Sequence, residues 1–538
     1  MGSRMVVSTN SMVKPILLPG ITICSLMLSI VFSVFFVLLS HPEDVSLRNI
    51  IINTYLWKVI KFTFFQAFLS ALLSVLIALL LSKSYFRNNF FCNIFLKLSS
   101  TIFVLPTTII TIGMLMVYGR SGWISQFFNT IKFEYSFNPY GFNGVILTNV
   151  FINLPFAIQL LLRSIRIISS DQWKIIDQLG MRHLEYFIRV EWYYLKRQIV
   201  PVFILIFVLS FSNFSIILIV GGGPSSTTIE LAIYQMINFG PNYFQAAFLT
   251  FVQMMCCLLL ITFVQKINIF PMIENDYEEL SHNRYCSHIY HDSIVNKIII
   301  LISIVFFISP LSAIILDGIN VELFKILKDP YFWQSFWNSA VIAIGSSSLC
   351  TLFAIIFLWS SRELYFQKMF FLYRSFKMIS MTLIVLPNTS LVISLSHLLN
   401  DFLIIRSPYP LIIFINALMF VPYSIKMLEI PMNDTFQYYN NLCLSLKITG
   451  LNRFFVIEYD KLSYDIKKSF VLSCAFSFGD ISTLTIFEEN QFSTLPYYLY
   501  DHLNHYCVKE ASSTSLLMLF FYMILFLSLR KSFQKKYD

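Results

Sequence analysis

Few residues in this chain could do chemistry, and most of them lie in apolar surroundings. Asp480 and Ser477 sit in one apolar stretch, and 267 residues earlier Ser210, Ser212 and Asn213 occupy the matching stretch. A carboxylate near a bilayer centre costs about 2.5–3.5 kcal/mol on insertion scales, so Asp480 must face protein or water. Two readings are open. These five side chains line a polar path, in which a carboxylate and aromatic faces would suit a cation, or Asp480 pairs with a neighbouring helix and fixes packing. His282, Cys286, His288 and His291 cluster in one segment, and His502, His505 and Cys507 in another. Neither spacing fits a common zinc pattern, so no metal site is expected. A phosphate loop of the form Gly-x4-Gly-Lys-Ser/Thr is missing, and Gly221-Gly222-Gly223 lacks the lysine. The chain is therefore not expected to hydrolyse ATP, and no catalytic residue is assigned. The three glycines suit tight packing.

The polar stretches raise a second question, because one of them occurs twice. Leu179-Gly180 and Val190-Glu191-Trp192 recur as Leu446-Lys447 and Ile457-Glu458-Tyr459, again 267 residues on. At the same offset Asn149 matches Asn416 and Pro155 matches Pro422. Within loop 163–197, Ile175, Ile176 and Leu179, then Leu184, Phe187, Ile188 and Leu195, follow helical spacing. This predicts two short amphipathic helices with a turn near Gly180. A single such helix could lie on lipid headgroups. Two at matching places favour a pair of handles for a two-fold partner.

The elements that must carry these residues are membrane helices. The chain is 57% hydrophobic and 12% charged, with a mean hydropathy of +0.70, too apolar for a soluble domain of this size. Its apolar blocks are continuous and about 20 residues long, which fits helices and excludes a β-barrel. About twelve spans are expected, near 16–40, 55–82, 99–118, 142–162, 198–220, 243–266, 295–317, 331–359, 375–398, 408–428, 466–487 and 511–530. Six spans per half make the repeats parallel. Residues 1–290 form the first repeat with loop 163–197, and 291–538 the second with loop 429–465. Leu105-Pro106 and Leu386-Pro387 mark the third span of each. Loop 163–197 carries Arg163, Arg166, Lys174, Arg182, Arg189, Lys196 and Arg197, while 221–242 has no Lys or Arg. That bias places the long loops and both termini in the cytoplasm. The formal charge of +9 reflects this sorting and does not imply nucleic acid.

Gly180 followed nine residues later by Val190-Glu191-Trp192 resembles the EAA loop of ABC importer permeases. Lys174-Ile175-Ile176 stands where that family has Glu-Ala-Ala, Tyr193 where it has Pro, and Lys447 at the second glycine position. Non-glycine there would cost roughly 1 kcal/mol or more if φ must be positive. The stretches 117–123, Pro139-Tyr140-Gly141, Asn153-Leu154-Pro155, 221–224, 227–235, Phe478-Gly479-Asp480 and 492–500 resemble permeases of bacterial thiamine importers over nearly the whole chain. Ferric-iron importer permeases share the duplicated design. The resemblance implies an all-α, type I ABC importer permease (MetI-like) fold in the bacterial inner membrane. It also implies two copies of an ATP-binding subunit, which hold ATP and Mg, and a periplasmic thiamine-binding protein. The expected activity is import of thiamine, or its phosphates, by alternating access, with no cofactor on this chain. An ion-coupled secondary transporter would share twelve spans in parallel halves, but its intramembrane carboxylates are few here. A membrane scaffold is the remaining alternative.

Overall fold

The computed structural model describes residues 18–40, 52–87, 89–132, 137–181, 183–240, 242–266, 294–367, 369–402, 408–448, 450–483, 492–505 and 507–534. Among these there is helix and no strand. That is the expected outcome in lipid, where a helix satisfies its own backbone groups.

The first repeat comprises α1 (Leu18–Ser40), α2 (Thr54–Phe86), α3 (Asn89–Val104), α4 (Thr107–Tyr118), α5 (Trp123–Thr130), α6 (Phe142–Arg166), α7 (Ser170–Gln178), α8 (His183–Tyr186), α9 (Trp192–Phe211), α10 (Phe214–Val220), α11 (Ile229–Asn238) and α12 (Tyr243–Lys266). The second comprises α13 (Ile294–Gly318), α14 (Val321–Lys328), α15 (Pro330–Phe366), α16 (Phe370–Val385), α17 (Asn388–Phe402), α18 (Tyr409–Ser445), α19 (Gly450–Arg453), α20 (Tyr459–Phe478), α21 (Leu495–Asn504) and α22 (Val508–Gln534). Local chemistry sets one pair of helix starts alike in both halves. Asn53 and Asp329 accept from the backbone N–H two residues on, at 3.0 Å each, and so start α2 and α15.

Nine helices among the described residues are long and apolar enough to cross a bilayer. The other expected spans are accounted for by breaks. Spans 99–118 and 375–398 are each two helices, parted at Leu105-Pro106 and Leu386-Pro387, because proline lacks an N–H and clashes with the preceding turn. Span 198–220, whose main helix is one of the nine, parts at Ser212-Asn213. Span 466–487 ends early, at Phe478, so Asp480 lies in the turn beyond α20 and not inside a span. Segment 221–242, expected to be a loop, contains α11, whose residues Ile229, Glu230, Ala232 and Ile233 are buried.

The leading helices are exchanged between the repeats. α1 packs on α15, α16 and α17, and its Ile23, Met27 and Ile30 join the core of the second repeat. α13 packs on α4, α2 and α22, with Phe307 and Ile314 in the core of the first.

Candidate coupling faces and polar seam

The two long loops share a left-handed turn and a π turn at matching positions. α7 ends in a turn at Leu179-Gly180, where Gly180 has φ +58°. A short helix (α8) then runs through one wide π turn, Phe187–Glu191, directly into α9. In the second repeat Lys447 takes φ +54°, α19 follows, and the π turn is Phe454–Glu458, at the same offset. The lysine thus adopts the left-handed turn its glycine counterpart uses. The second expected amphipathic helix is no separate element, since it continues into a membrane helix. The segment before each turn differs: α7 is parted from α6, whereas α18 runs unbroken from Tyr409 to Ser445 through Pro422 and Pro431.

The apolar residues of the loops divide between two faces. Trp173, Ile176 and Leu195 are buried and tie the first loop to the protein. Ile175, Leu179, Ile188 and Trp192 are exposed, and so are their counterparts Leu442, Leu446, Phe455 and Tyr459. Val190 and Ile457 are half-buried beneath them. Such a pair of matched apolar patches can serve one two-fold partner.

Beneath each patch lies a buried glutamate, Glu191 (1% exposed) and Glu458 (0%). Glu458 is held on both oxygens. Arg362 Nη1 donates to Oε2 at 3.0 Å and Arg453 Nε to Oε1 at 2.7 Å. Both guanidinium groups lie over the Phe436 ring, 4.2 and 3.8 Å from its centre. Arg453 also donates to Asn440 Oδ1 at 3.2 Å. In the first repeat Tyr186 and Trp173 stand where Arg453 and Asn440 do. Phe86 stacks on Trp173 at 5.8 Å, Trp173 meets Tyr186 edge-on at 6.1 Å, and Arg87 Nη2 donates to Tyr186 Oη at 3.3 Å. Lys83 lies 3.7 Å over Phe187 and within electrostatic range of Glu191. Sequence reasoning found both glutamates but neither Arg362 nor Arg453. The Lys-Arg content of a loop does not reveal which cation turns inward.

The expected path residues meet at the breaks. Gln66 Nε2 donates to the Ser210 carbonyl at 2.8 Å, and Asn153 Nδ2 to Ser210 Oγ at 3.0 Å. Asn213 Nδ2 donates to Asn149 Oδ1 at 3.2 Å, and Asn149 Nδ2 to Gln66 Oε1 at 3.1 Å. Ser477 Oγ accepts from Asn416 at 3.0 Å and Ser346 at 2.8 Å. Asp480 bonds within its own turn, accepting from Ser482 Oγ at 2.7 Å and Thr483 Oγ1 at 2.9 Å. A small cavity touches Asn416, Ser477, Asp480 and Thr494, with room for about one water. The two repeats touch at this level: a Cβ on Gly479 would lie 2.6 Å from the Pro106 ring.

One acidic residue was missed. Glu230 is buried in the first turn of α11 and accepts from Gln253 Nε2 at 2.9 Å; Gln253 also reaches Ser212 Oγ at 3.4 Å. A lone glutamate between Ile229 and Leu231 was the available signal.

His502 pairs with Glu510 at 3.0 Å, and His505 lies 3.5 Å from Asp501. Among the described residues no group of His, Cys, Asp and Glu could hold a metal. The segment 282–291 lies outside them.

Residues 70–268 match the family of binding-protein-dependent transport system inner membrane components. The chain is 35% identical over 524 residues to the thiamine transport system permease protein of Escherichia coli (strain K12), covering 96% of each chain. It is 31% identical over 485 residues to the protein of that name from Haemophilus influenzae, covering 88% of each. A probable sulfate transport system permease protein of Prototheca wickerhamii is 26% identical over 174 residues, covering 31% of this chain and 65% of that one.

Proposed function

Because the chain belongs to the binding-protein-dependent inner-membrane transport components, the family that holds the thiamine transport permeases, we propose that it is the permease of a thiamine importer driven by a separate ATP-binding subunit. The observation that carries the reading is the matched pair of exposed apolar patches, set on left-handed turns at corresponding positions over buried glutamates. Two copies of the ATP-binding subunit seat on them from the cytoplasm, each holding its own ATP and Mg. A thiamine-binding protein delivers cargo to the opposite side. Both chain termini lie in the cytoplasm.

Closure of the ATP-binding pair draws the patches together. The buried ion cluster and the aromatic stack pass that motion into α15 and α2, and the helices parted at Ser212-Asn213 and Gly479-Asp480 line the gate. Swinging such a gate from 1:99 to 99:1 takes about 5.5 kcal/mol of differential binding, which only stiff contacts can deliver. Thiamine in the relatives' names favours that cargo over ferric iron.

The test is reconstitution of the complex in vesicles with labelled thiamine, thiamine monophosphate and ferric iron offered in parallel. ATP-dependent uptake of thiamine is expected. Accumulation by the permease alone on a proton or sodium gradient would overturn the reading.

A further inference from the structure

The seam between the repeats holds two carboxylates, Glu230 buried and Asp480 half-buried, and they differ in what they lack. Each oxygen of Asp480 is occupied, Oδ1 by Ser482 and Oδ2 by Thr483. Its charge is spent on shaping the turn after α20. Glu230 has Gln253 on Oε1 and makes no hydrogen bond through Oε2, although only 1% of the residue is exposed. Among the described residues neither acid forms an ion pair with Lys, Arg or His.

The surroundings of Glu230 come from both repeats. Its own α11 and Gln253 belong to the first. From the second, the N-terminus of α17 faces it: the Asn388 N–H approaches the carboxylate, and Thr389 Oγ1 lies 3.5 Å from the Glu230 carbonyl. Tyr423 of α18 is within electrostatic range, and its ring continues into an aromatic row with Phe476 at 5.6 Å and Phe420 beyond. A buried carboxylate oxygen left without a hydrogen bond, and with no Lys, Arg or His paired to it, is the chemistry that takes up an organic cation. Its place on the joint between two moving halves means that rocking them would uncover and cover it.

We propose that Glu230, with Tyr423 across the seam, forms the transit site for the positively charged ring of the cargo, and that Asp480 is a structural turn residue. The inference rests on the importer reading and adds the contact that reading lacks. Cationic cargo passes because its charge meets Oε2 where the repeats part, and neutral solutes of equal size find no such partner.

Two measurements on the full complex in lipid nanodiscs or vesicles test it. A hydrophobic carbodiimide modifies accessible buried carboxyls, and mass spectrometry maps the site. Thiamine is expected to slow modification of Glu230 in the wild-type complex and leave Asp480 unaffected. In vesicles, Glu230→Gln is expected to reduce thiamine uptake at saturating loaded binding protein by about tenfold, the loss of one charge–charge contact, and Glu230→Asp to recover part of it. Absence of protection at Glu230 overturns the proposal, including when Glu230→Gln fails to assemble or loses uptake, since the residue is then structural. Wild-type uptake by Glu230→Gln overturns it while leaving the importer reading intact. A wild-type complex that takes up no thiamine removes that reading and this inference together.

Discussion

The two loop modules hold corresponding turns in place by different chemistry. In both, a left-handed residue, a one-turn helix and a π turn lead into a membrane helix, and the buried glutamates fall at the same place. The first module is pinned by Phe86, Trp173 and Tyr186, stacked and edge-on. The second is pinned by Arg362 and Arg453 closing on Glu458 over the Phe436 ring. What duplication has preserved is the position of the exposed patch, and the anchor beneath it has been free to change. A partner that meets both patches selects for their shape and not for the means of holding them.

The comparison breaks most visibly at the anchors. Glu458→Ala leaves two buried guanidinium groups without their carboxylate and should cost about 3–5 kcal/mol. Trp173→Ala, in the aromatic anchor of the first module, should cost a similar ~3–5 kcal/mol through cavity formation. Thermal melting of the purified complex at low and high salt checks both. Both variants melt earlier, but the second module's anchor is ionic and buried, so salt should move neither loss. A salt-sensitive Glu458→Ala deficit would mean that the ion cluster is open to water.

Leu179→Glu and Leu446→Glu place a charge on each patch. Each should weaken the partner's grip by about 2 kcal/mol, roughly 30-fold in affinity, and lower uptake in step. Titrating the ATP-binding subunit onto nanodisc-held permease measures this. Equal losses fit one partner used twice, and a loss confined to Leu179 would mean that the second module no longer docks.

The smallest effects lie at the turns. Lys447→Gly should stabilise by about 1 kcal/mol by removing the left-handed penalty, and Gly180→Ala should destabilise by a similar ~1 kcal/mol. Opposite signs in denaturation of the two variants would confirm that one turn serves both modules. A neutral Lys447→Gly would imply that the lysine side chain makes up the difference at the partner surface.

Much of this was legible in the chain. The offset of 267 residues, the Leu-Pro pairs and the two glutamates are local patterns, and the fold honours each of them. Three things were not. Arg362 reaches Glu458 across 96 residues, a pairing that no spacing announces. Asp480 lies next to so many apolar residues that hydropathy carried the span past it, whereas Gly479 ends the helix against Pro106 and Tyr522. Glu230 was hidden because a segment without Lys or Arg looks like a surface loop, and charge sorting reports the side of a membrane but not depth in the protein. In the loops, helical spacing was read as one apolar face. The structure splits it, burying Ile176 and presenting Ile175, because a helix resting on one neighbour and offered to another needs both.

The exchange of α1 and α13 makes the units of packing different from the units of repetition. The core of the second repeat includes the chain's opening helix, and that of the first includes a helix encoded after the midpoint. Severing the polypeptide between α12 and α13 would therefore yield two fragments that each lack a wall of their own and carry one belonging to the other. Such fragments should be unstable when made singly and recover only when made together, as two hands remain joined by interlaced fingers after the sleeve is cut.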